Sequence, residues 1–220
     1  MLVDRHERVR YNPDGTFETT DESWTKLLTE KGRRDESTVS LDYSRRYGEA
    51  KIVFVKVIDT NGVERTVDVS ATTKDTTDNS SMASNITDPL DRRIVCTVPG
   101  LKVGETVHVK TWRRDSHARC EGHWADYAVL EWTLPIVRAS YEVVAPPTLP
   151  LAKIALRHPR GNVVSNVTAL ADGSRVHTFV VTNSPQCFPD PDMPPLYNEV
   201  QNLRVSTTSS WRDLSRWYWR

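Results

Sequence analysis

Short runs of alternating apolar and polar residues recur along almost the whole chain. The first two runs lie at residues 5–11 and from residue 16 onward, and the turn Asn12-Pro13-Asp14-Gly15 separates them. Successive side chains of a strand point to opposite faces of its sheet, so this alternation is typical of strands with one buried face. The N-terminal stretch therefore predicts a β-hairpin.

The same pattern continues to the end of the chain. Residues 51–59 are rich in β-branched side chains and close on Asn61-Gly62, a dipeptide that strongly indicates a hairpin. Further strands are predicted at residues 39–43, 63–70, 94–98, 105–112, 124–133, 136–145, 152–156, 163–170, 174–182 and 200–206. About a dozen short strands with almost no helix predict an all-β protein, most simply an antiparallel β-sandwich.

Two stretches lack this alternation. Residues 71–93 are polar and contain little that can be buried, and residues 183–198 are rich in proline. We predict that both are long surface loops, because buried irregular backbone leaves polar groups without partners. The predicted organisation is one β-sandwich domain over residues 1–206, followed by a segment of different character at residues 207–220.

This last segment predicts a short C-terminal helix. Ser210 and Asp213, three residues apart, match a capping box. At about 100° per residue, Trp211, Leu214 and Tyr218 share one apolar sector, which we expect to pack on the β-domain.

Trp219 points away from that sector, on the opposite side from Trp217, so burying both rings requires a second surface. Large aromatic side chains left in water are typical of interfaces. We therefore expect the helix to lead toward a C-terminal domain outside this chain. The predicted domain interface consists of Trp211, Trp217, Tyr218 and Trp219.

The 220-residue chain carries 29 basic and 29 acidic residues, so its formal net charge is zero. A neutral chain has no overall field that attracts nucleic acid or an anionic membrane surface. No apolar run is long enough to span a bilayer, and the N-terminal residues are too charged for a signal peptide. We predict neither nucleic-acid binding nor membrane insertion, and self-association stays open.

One short segment combines residue types that can carry chemistry: His117, Cys120 and His123, with Asp126 following. Such side chains are the ligands that zinc uses, and a cysteine beside a histidine is a familiar nucleophile. However, structural zinc sites normally use two separated ligand pairs, and no predicted helix N-terminus stabilises a thiolate here. We predict a polar loop with no metal, no other cofactor and no catalytic residue.

The three cysteines are too few for a disulfide framework. Cys96 lies within a predicted strand and is expected in the core. Cys120 and Cys187 lie in predicted loops, and whether they pair depends on export of the parent protein, because disulfides persist in oxidising compartments.

Seven tryptophans suggest an alternative function, the binding of carbohydrate or another ligand by exposed rings. Trp24, Trp112, Trp124 and Trp132 fall within predicted strands, however, where core packing is the commoner role. A binding module therefore stays the alternative to an accessory domain, with a small metal- or cysteine-dependent enzyme third.

Several short motifs occur in a distinctive order. The opening hairpin is followed by LTEKG at residues 28–32 and by TVPGLKVGE at residues 97–105. WTLPI at residues 132–136 precedes YEV at residues 141–143, and the chain closes with VST at 205–207, SWRDL at 210–214 and WY at 217–218. Over nearly its whole length the chain thereby resembles a bacterial family of domains of unknown function that lies immediately N-terminal to transglutaminase-like domains.

This resemblance implies an immunoglobulin-like β-sandwich that ends in a helix leading to a papain-like domain. The catalytic Cys, His and Asp of that family architecture lie in the downstream domain, so no residue of this chain inherits their role. The resemblance thus implies a non-catalytic accessory domain whose partner is the downstream transglutaminase-like domain. It also implies an exported protein, periplasmic or at the cell surface, although this chain shows no signal peptide.

Overall fold

The computed structural model describes residues 1–80 and 87–219. It is mostly β, with 49% of residues in strands and 10% in helices, which confirms that strands dominate the fold. The chain divides into two compact units, one formed by Met1–His6 with Glu18–His117 and the other by Glu7–Phe17 with the residues from Ala118 onward. The prediction of a single β-domain over residues 1–206 did not anticipate this division.

The first unit is built from two sheets. The elements up to residue 117 are β1 Leu2–Tyr11, β2 Phe17–Lys26, α1 Glu30–Asp35, β3 Thr38–Ser44, β4 Gly48–Ile58, β5 Glu64–Thr66, α2 Val69–Thr72, β6 Thr73–Thr77, β7 Asp91–Thr97 and β8 Thr106–Asp115. The described residues form three sheets in all; in this unit one of them contributes the strand order β1-β2-β8-β4-β5, and another has the order β3-β7-β6. Val55 on β4, Cys96 on β7 and Val107 on β8 belong to one buried cluster, so both sheets contribute to a common core.

The second unit also contains strands of two of these three sheets. Its elements after residue 117 are β9 Ala125–Val129, β10 Ile136–Ala145, β11 Lys153–Arg157, β12 Val163–Ala169, β13 Arg175–Ser184, a 3-10 helix Leu196–Asn198, β14 Asn202–Ser206 and α3 Trp211–Tyr218. The strand orders are β12-β13-β10-β1 and β11-β14-β9. The Tyr141 hydroxyl on β10 donates to the Asp126 carboxylate on β9 at 2.7 Å and links strands of the two sheets, and Val181 and Leu203 are buried in this unit.

Both predicted hairpins form. The Asn12 amide donates to the Thr16 carbonyl at 2.8 Å and closes the turn between β1 and β2. The Asp59 amide donates to the Val63 carbonyl at 3.0 Å across the Asn-Gly turn, although the strand that follows, β5, has only 3 residues.

The predicted loop at residues 71–93 is wrong in part. Thr73–Thr77 forms strand β6, and β7 already begins at Asp91; residues 81–86 lie outside the described part of the chain. β6 has no apolar residue, but β7 pairs with it along its whole length, with Thr73 opposite Cys96. Backbone pairing and side-chain contacts stabilise this polar strand, and alternation cannot reveal such contributions.

Three other boundaries differ from the predictions. The strand predicted at 124–133 ends at Val129, and beyond it the Glu131 carboxylate accepts a hydrogen bond from the Gln201 backbone amide at 3.0 Å. Helix α1 was not predicted; the Thr29 hydroxyl caps it by accepting from the Gly32 amide at 3.0 Å. The proline-rich stretch 183–198 begins within β13 and ends in the 3-10 helix.

Candidate functional site

Helix α3 begins where the sequence predicted. The Ser210 hydroxyl donates to the Asp213 carboxylate at 2.7 Å, and the Asp213 amide donates back to Ser210 Oγ at 3.3 Å. The side-chain hydrogen bonds from Ser209 and Ser210 lower the pKa of Asp213 below its ordinary value. The negative charge of Asp213 also interacts favourably with the positive end of the helix dipole.

The orientation of α3 differs from the prediction. Trp211 and Tyr218 are 82% and 72% exposed, so the sector Trp211–Leu214–Tyr218 does not pack on the β-strands as a whole. Instead, Leu214 and Trp217 are half-buried, and Trp219 is 80% exposed. Positions 210, 214 and 217 share one helix face, so the buried stripe lies about 60° away from the expected one.

A cavity of about 340 Å³ lies beside the first turn of α3, entirely within the second unit. This volume falls within the usual range for small-molecule sites. The lining residues come from the tip of the β1–β2 hairpin, the segment before β9, strands β11 and β14, and α3. They are Gly15, Phe17, Arg119, Cys120, His123, Trp124, Ala125, Lys153, Ser206, Thr208, Ser210, Trp211 and Leu214.

The hairpin tip holds one wall of this cavity in place. The Gly122 amide donates to the Asp14 carbonyl at 3.0 Å, and Gly15 has a positive φ of 92°. A Cβ atom at Gly15 would lie 2.6 Å from the His123 carbonyl oxygen and 2.8 Å from that of Cys120. Gly15 is therefore required both by its backbone conformation and by this close approach.

The floor of the cavity is aromatic. The Trp124 ring is stacked on the Tyr11 ring with centroids 4.4 Å apart, and Phe17 meets its edge at 6.5 Å. The Trp124 amide donates to the Thr207 hydroxyl at 2.8 Å, and the Thr207 amide donates to the Trp124 carbonyl at 2.9 Å. This reciprocal pair ties the floor to the segment that leads into α3.

The ionisable side chains that line the cavity are Arg119, Cys120, His123 and Lys153, and no carboxylate is among them. Burial raises the pKa of the Cys120 thiol above its ordinary value, which disfavours the thiolate. His123 Nδ1 lies 3.3 Å from the Thr208 hydroxyl. The cavity thus combines an apolar floor with basic side chains, an arrangement suited to holding a ligand.

The structure separates the predicted cluster. Cys120 and His123 both line the cavity, whereas His117 belongs to the first unit, where its amide donates to the Tyr47 carbonyl at 2.9 Å. Asp126 instead accepts the Tyr141 hydroxyl. Within residues 1–80 and 87–219, no three His, Cys, Asp or Glu side chains are grouped as metal ligands would be. All three cysteines are free.

The tryptophans predicted in strands have different environments. Trp24 stacks on His108 with ring centroids 4.2 Å apart, and Trp112 lies under the Lys51 ammonium at 4.8 Å. Trp124 is buried, as predicted for a core residue. Trp132 follows β9 in an irregular segment and is exposed.

A family model for a domain of unknown function with a solved structure, DUF3857, matches residues 13–187. The chain belongs to the DUF3857 family.

Among solved structures, a "putative protease" from Parabacteroides distasonis is similar to this DUF3857 domain, with a TM-score of 0.79 and 15% identity over 94% of the chain. The chain spans 40% of that protein's length. At this identity the similarity shows the fold alone. Comparison with curated proteins gives no match. Among the described residues, no helix is both long enough and apolar enough to cross a membrane.

Sequence reasoning missed most of the cavity in this DUF3857 domain. Phe17, Lys153 and Thr208 are far apart in the chain and belong to no motif. Their meeting depends on the pairing of β11 with β14, which places Lys153 opposite Ser206. Besides Cys120 and His123, which the sequence analysis had singled out, a further signal was the glycine of the Asn12–Gly15 turn, because glycine readily adopts the positive φ that permits the close approach of the next segment.

Proposed function

We propose that this DUF3857 domain is a non-catalytic accessory domain, with an immunoglobulin-like β-sandwich fold, that packs through α3 on a transglutaminase-like domain of the same protein. The proposal includes export of the parent protein, as the motif resemblance implies. The exposed aromatic surface of α3 is the observation that carries it.

This surface consists of Trp211, Tyr218 and Trp219. The rings of Tyr218 and Trp219 meet edge to face with centroids 5.5 Å apart, while Leu214 and Trp217 hold the helix from its other side. Tryptophan and tyrosine dominate the energetics of interfaces, because their large apolar area is lost from water at little cost in entropy. The helix therefore presents aromatic side chains that can anchor a second protein surface.

Two further observations support the proposal. The chain spans 40% of the length of the similar "putative protease", so the same fold occurs there within a much longer protein. The only cysteine of the cavity, Cys120, has a raised pKa, which is the opposite of what an activated nucleophile needs. Both agree with a supporting role beside a catalytic domain.

The test uses the longer protein that joins this chain to its downstream domain. Trp219→Ala should weaken the coupling between the two domains by about 1–2 kcal/mol, measured as lost cooperativity in thermal unfolding. Phe188→Ala is the matched control, since Phe188 is a similarly exposed aromatic residue outside helix α3. Equal effects of the two substitutions, or no effect of either, would count against the docking role of α3.

We infer a second candidate function, the binding of a small organic anion with an apolar body, from the cavity beside α3. The apolar lining residues Phe17, Trp124 and Leu214 suit an apolar body, and Lys153 and Arg119 suit a negative head group. No carboxylate is among the described residues that line the cavity, and Asp213 on α3 is the nearby acidic side chain whose charge interacts with His123. The cavity thus supports the alternative of a ligand-binding module, with a small organic anion as the ligand.

Decanoate and 1-decanol are suitable probes, because they share an apolar chain and differ in charge. Decanoate should change the fluorescence of Trp124 and Trp211 and bind about tenfold more weakly to Lys153→Ala. Arg157→Ala, on the same strand but not lining the cavity, should leave the affinity unchanged. Equal affinity for the alcohol and the acid would exclude the charge-based part of the proposal, and absence of binding would exclude all of it.

A further inference from the structure

Strand β12 forms an open edge of the second unit. Within residues 1–80 and 87–219 it is the outermost strand in the order β12-β13-β10-β1 and pairs with β13 alone. Its sequence, VVSNVTA, contains no charged residue and no proline. Val164 is 73% exposed and Val167 54% exposed.

The hydrogen-bond pattern shows which backbone groups are open. The Thr182 amide donates to the Asn162 carbonyl at 3.2 Å, and the Leu170 amide donates to the Ser174 carbonyl at 2.8 Å. In an antiparallel pair every second residue points its N–H and C=O at the partner strand. Between Asn162 and Leu170 the even-numbered residues therefore face β13, and the odd-numbered residues face outward. These outward residues are Val163, Ser165, Val167 and Ala169.

Natural proteins usually protect such an edge with charges, proline, a bulge or a covering element. β12 has neither charge nor proline, its register with β13 runs without a shift, and six of its seven residues are exposed. Four consecutive outward residues thus present donors and acceptors that another strand can pair with.

We propose that β12 is a self-association site, at which β12 of a second copy of this chain pairs with it antiparallel about a two-fold axis at Asn166. In this register Ser165 lies opposite Val167 of the second copy, and Val163 lies opposite Ala169. It is the one two-fold register in which all four outward residues find an outward partner. If the axis shifts by one residue, at least one of the four outward residues loses its partner within β12 of the second copy.

The side chains agree with this register. Val164 lies opposite Thr168 of the second copy on one face, and Val167 lies opposite Ser165 on the other. The Val164–Thr168 pair joins two β-branched residues, a combination that stabilises neighbouring strands, and both valines lose exposed apolar surface. Because a two-fold contact brings each strand against its own copy, any charge on the edge would meet a like charge nearby; this edge carries none.

Disulfide trapping tests the register. Asn166 meets Asn166 of the second copy in a non-hydrogen-bonded pair, where Cα atoms lie about 4.5 Å apart, within disulfide range. Asn166→Cys in a Cys120→Ser, Cys187→Ser background should therefore form a covalent dimer under mild oxidation. Thr168→Cys is the matched control, because the two copies of residue 168 would lie about 13 Å apart at the usual rise per residue.

Edge variants test the interaction itself. Ser165→Pro removes an outward N–H without breaking a bond to β13, and should raise the dimer dissociation constant at least about tenfold in sedimentation equilibrium. Ser165→Thr keeps the N–H and should leave the dimer dissociation constant unchanged. Val167→Lys adds charges that repel across the two-fold axis and should also give monomers. Circular dichroism of each variant is the control that shows whether it is folded.

A monomer at concentrations up to about 1 mM would overturn the proposal. So would a dimer that Ser165→Pro and Val167→Lys leave intact, or equal trapping at residues 166 and 168. Trp219→Ala separates this site from α3, because the β12 dimer should survive that substitution. The docking role of α3 and pairing at β12 can therefore fail independently.

Discussion

The indole ring of Trp124 lies nearly parallel to the phenol ring of Tyr11, with centroids 4.4 Å apart and an interplanar angle of 8°. Tyr11 ends β1, and its hydroxyl donates to the Leu149 carbonyl at 2.7 Å. Burial raises the pKa of Tyr11 well above its ordinary value, so the hydroxyl stays protonated and keeps donating. The pair joins the hairpin tip to the floor of the cavity.

Trp124→Ala should lower the free energy of unfolding by about 3–5 kcal/mol, because it removes a large buried ring and leaves a hole under the cavity. Urea denaturation measures the loss. Trp132→Ala, at an exposed position, is the control and should cost far less. Similar losses for both substitutions would show that Trp124 is not a core residue.

Gly15→Ala should destabilise the protein more than Gly62→Ala. Both glycines have a positive φ, 92° and 84°, so each substitution carries a comparable backbone penalty. Only at Gly15 would the new Cβ meet carbonyl oxygens, whereas nothing lies within 4 Å at Gly62. We expect the difference in unfolding free energy to be about 1–3 kcal/mol. Equal effects would contradict the close approach of the hairpin tip to the Cys120 and His123 carbonyls.

Asp75 should make stability depend on acid pH. It accepts hydrogen bonds from Tyr43, Arg92 and Arg45 at 2.9 Å each. Burial alone would raise the pKa of this carboxyl, but these hydrogen bonds outweigh burial and lower it. Ionised Asp75 therefore stabilises the fold above its unfolded pKa of about 3.9, and this is lost as the pH falls through the folded value.

Asp75→Asn should accordingly be less stable than the native chain at pH 7, with a difference that shrinks below about pH 4. Thermal unfolding across this pH range measures it. Asp35→Asn, whose carboxylate pairs with Lys31 on an exposed helix, serves as the control and should change little. A stability difference for Asp75→Asn that is independent of pH would contradict the ionic role.

Cys120 should be alkylated slowly by iodoacetamide at neutral pH, because burial raises its thiol pKa and the thiolate is the reactive form. Cys96, which is fully buried, should react only after unfolding. Mass spectrometry of labelled peptides across a pH series, native and in urea, checks both. Labelling of native Cys120 at its unfolded rate at pH 7 would contradict the raised pKa.

Local features were predictable where the chain interacts with its near neighbours. The turn at Asn12–Gly15, the Asn61-Gly62 hairpin and the Ser210–Asp213 cap all depend on residues within about four positions, so the sequence pattern identifies them. Strand β6 escaped prediction because its stability comes from β7. The division into two units escaped for the same reason, since it reflects contacts between distant segments.

By itself, the sequence determined that the chain is mostly β, where its main hairpins turn and where α3 begins. Only the tertiary structure decided which face of α3 is buried: Leu214 and Trp217 are half-buried, whereas Trp211 and Tyr218 are exposed. It also decided that Cys120 and His123 share a cavity with Lys153 while His117 does not. Alternation and capping are short-range effects, whereas these choices depend on strand register and packing between segments up to about two hundred residues apart.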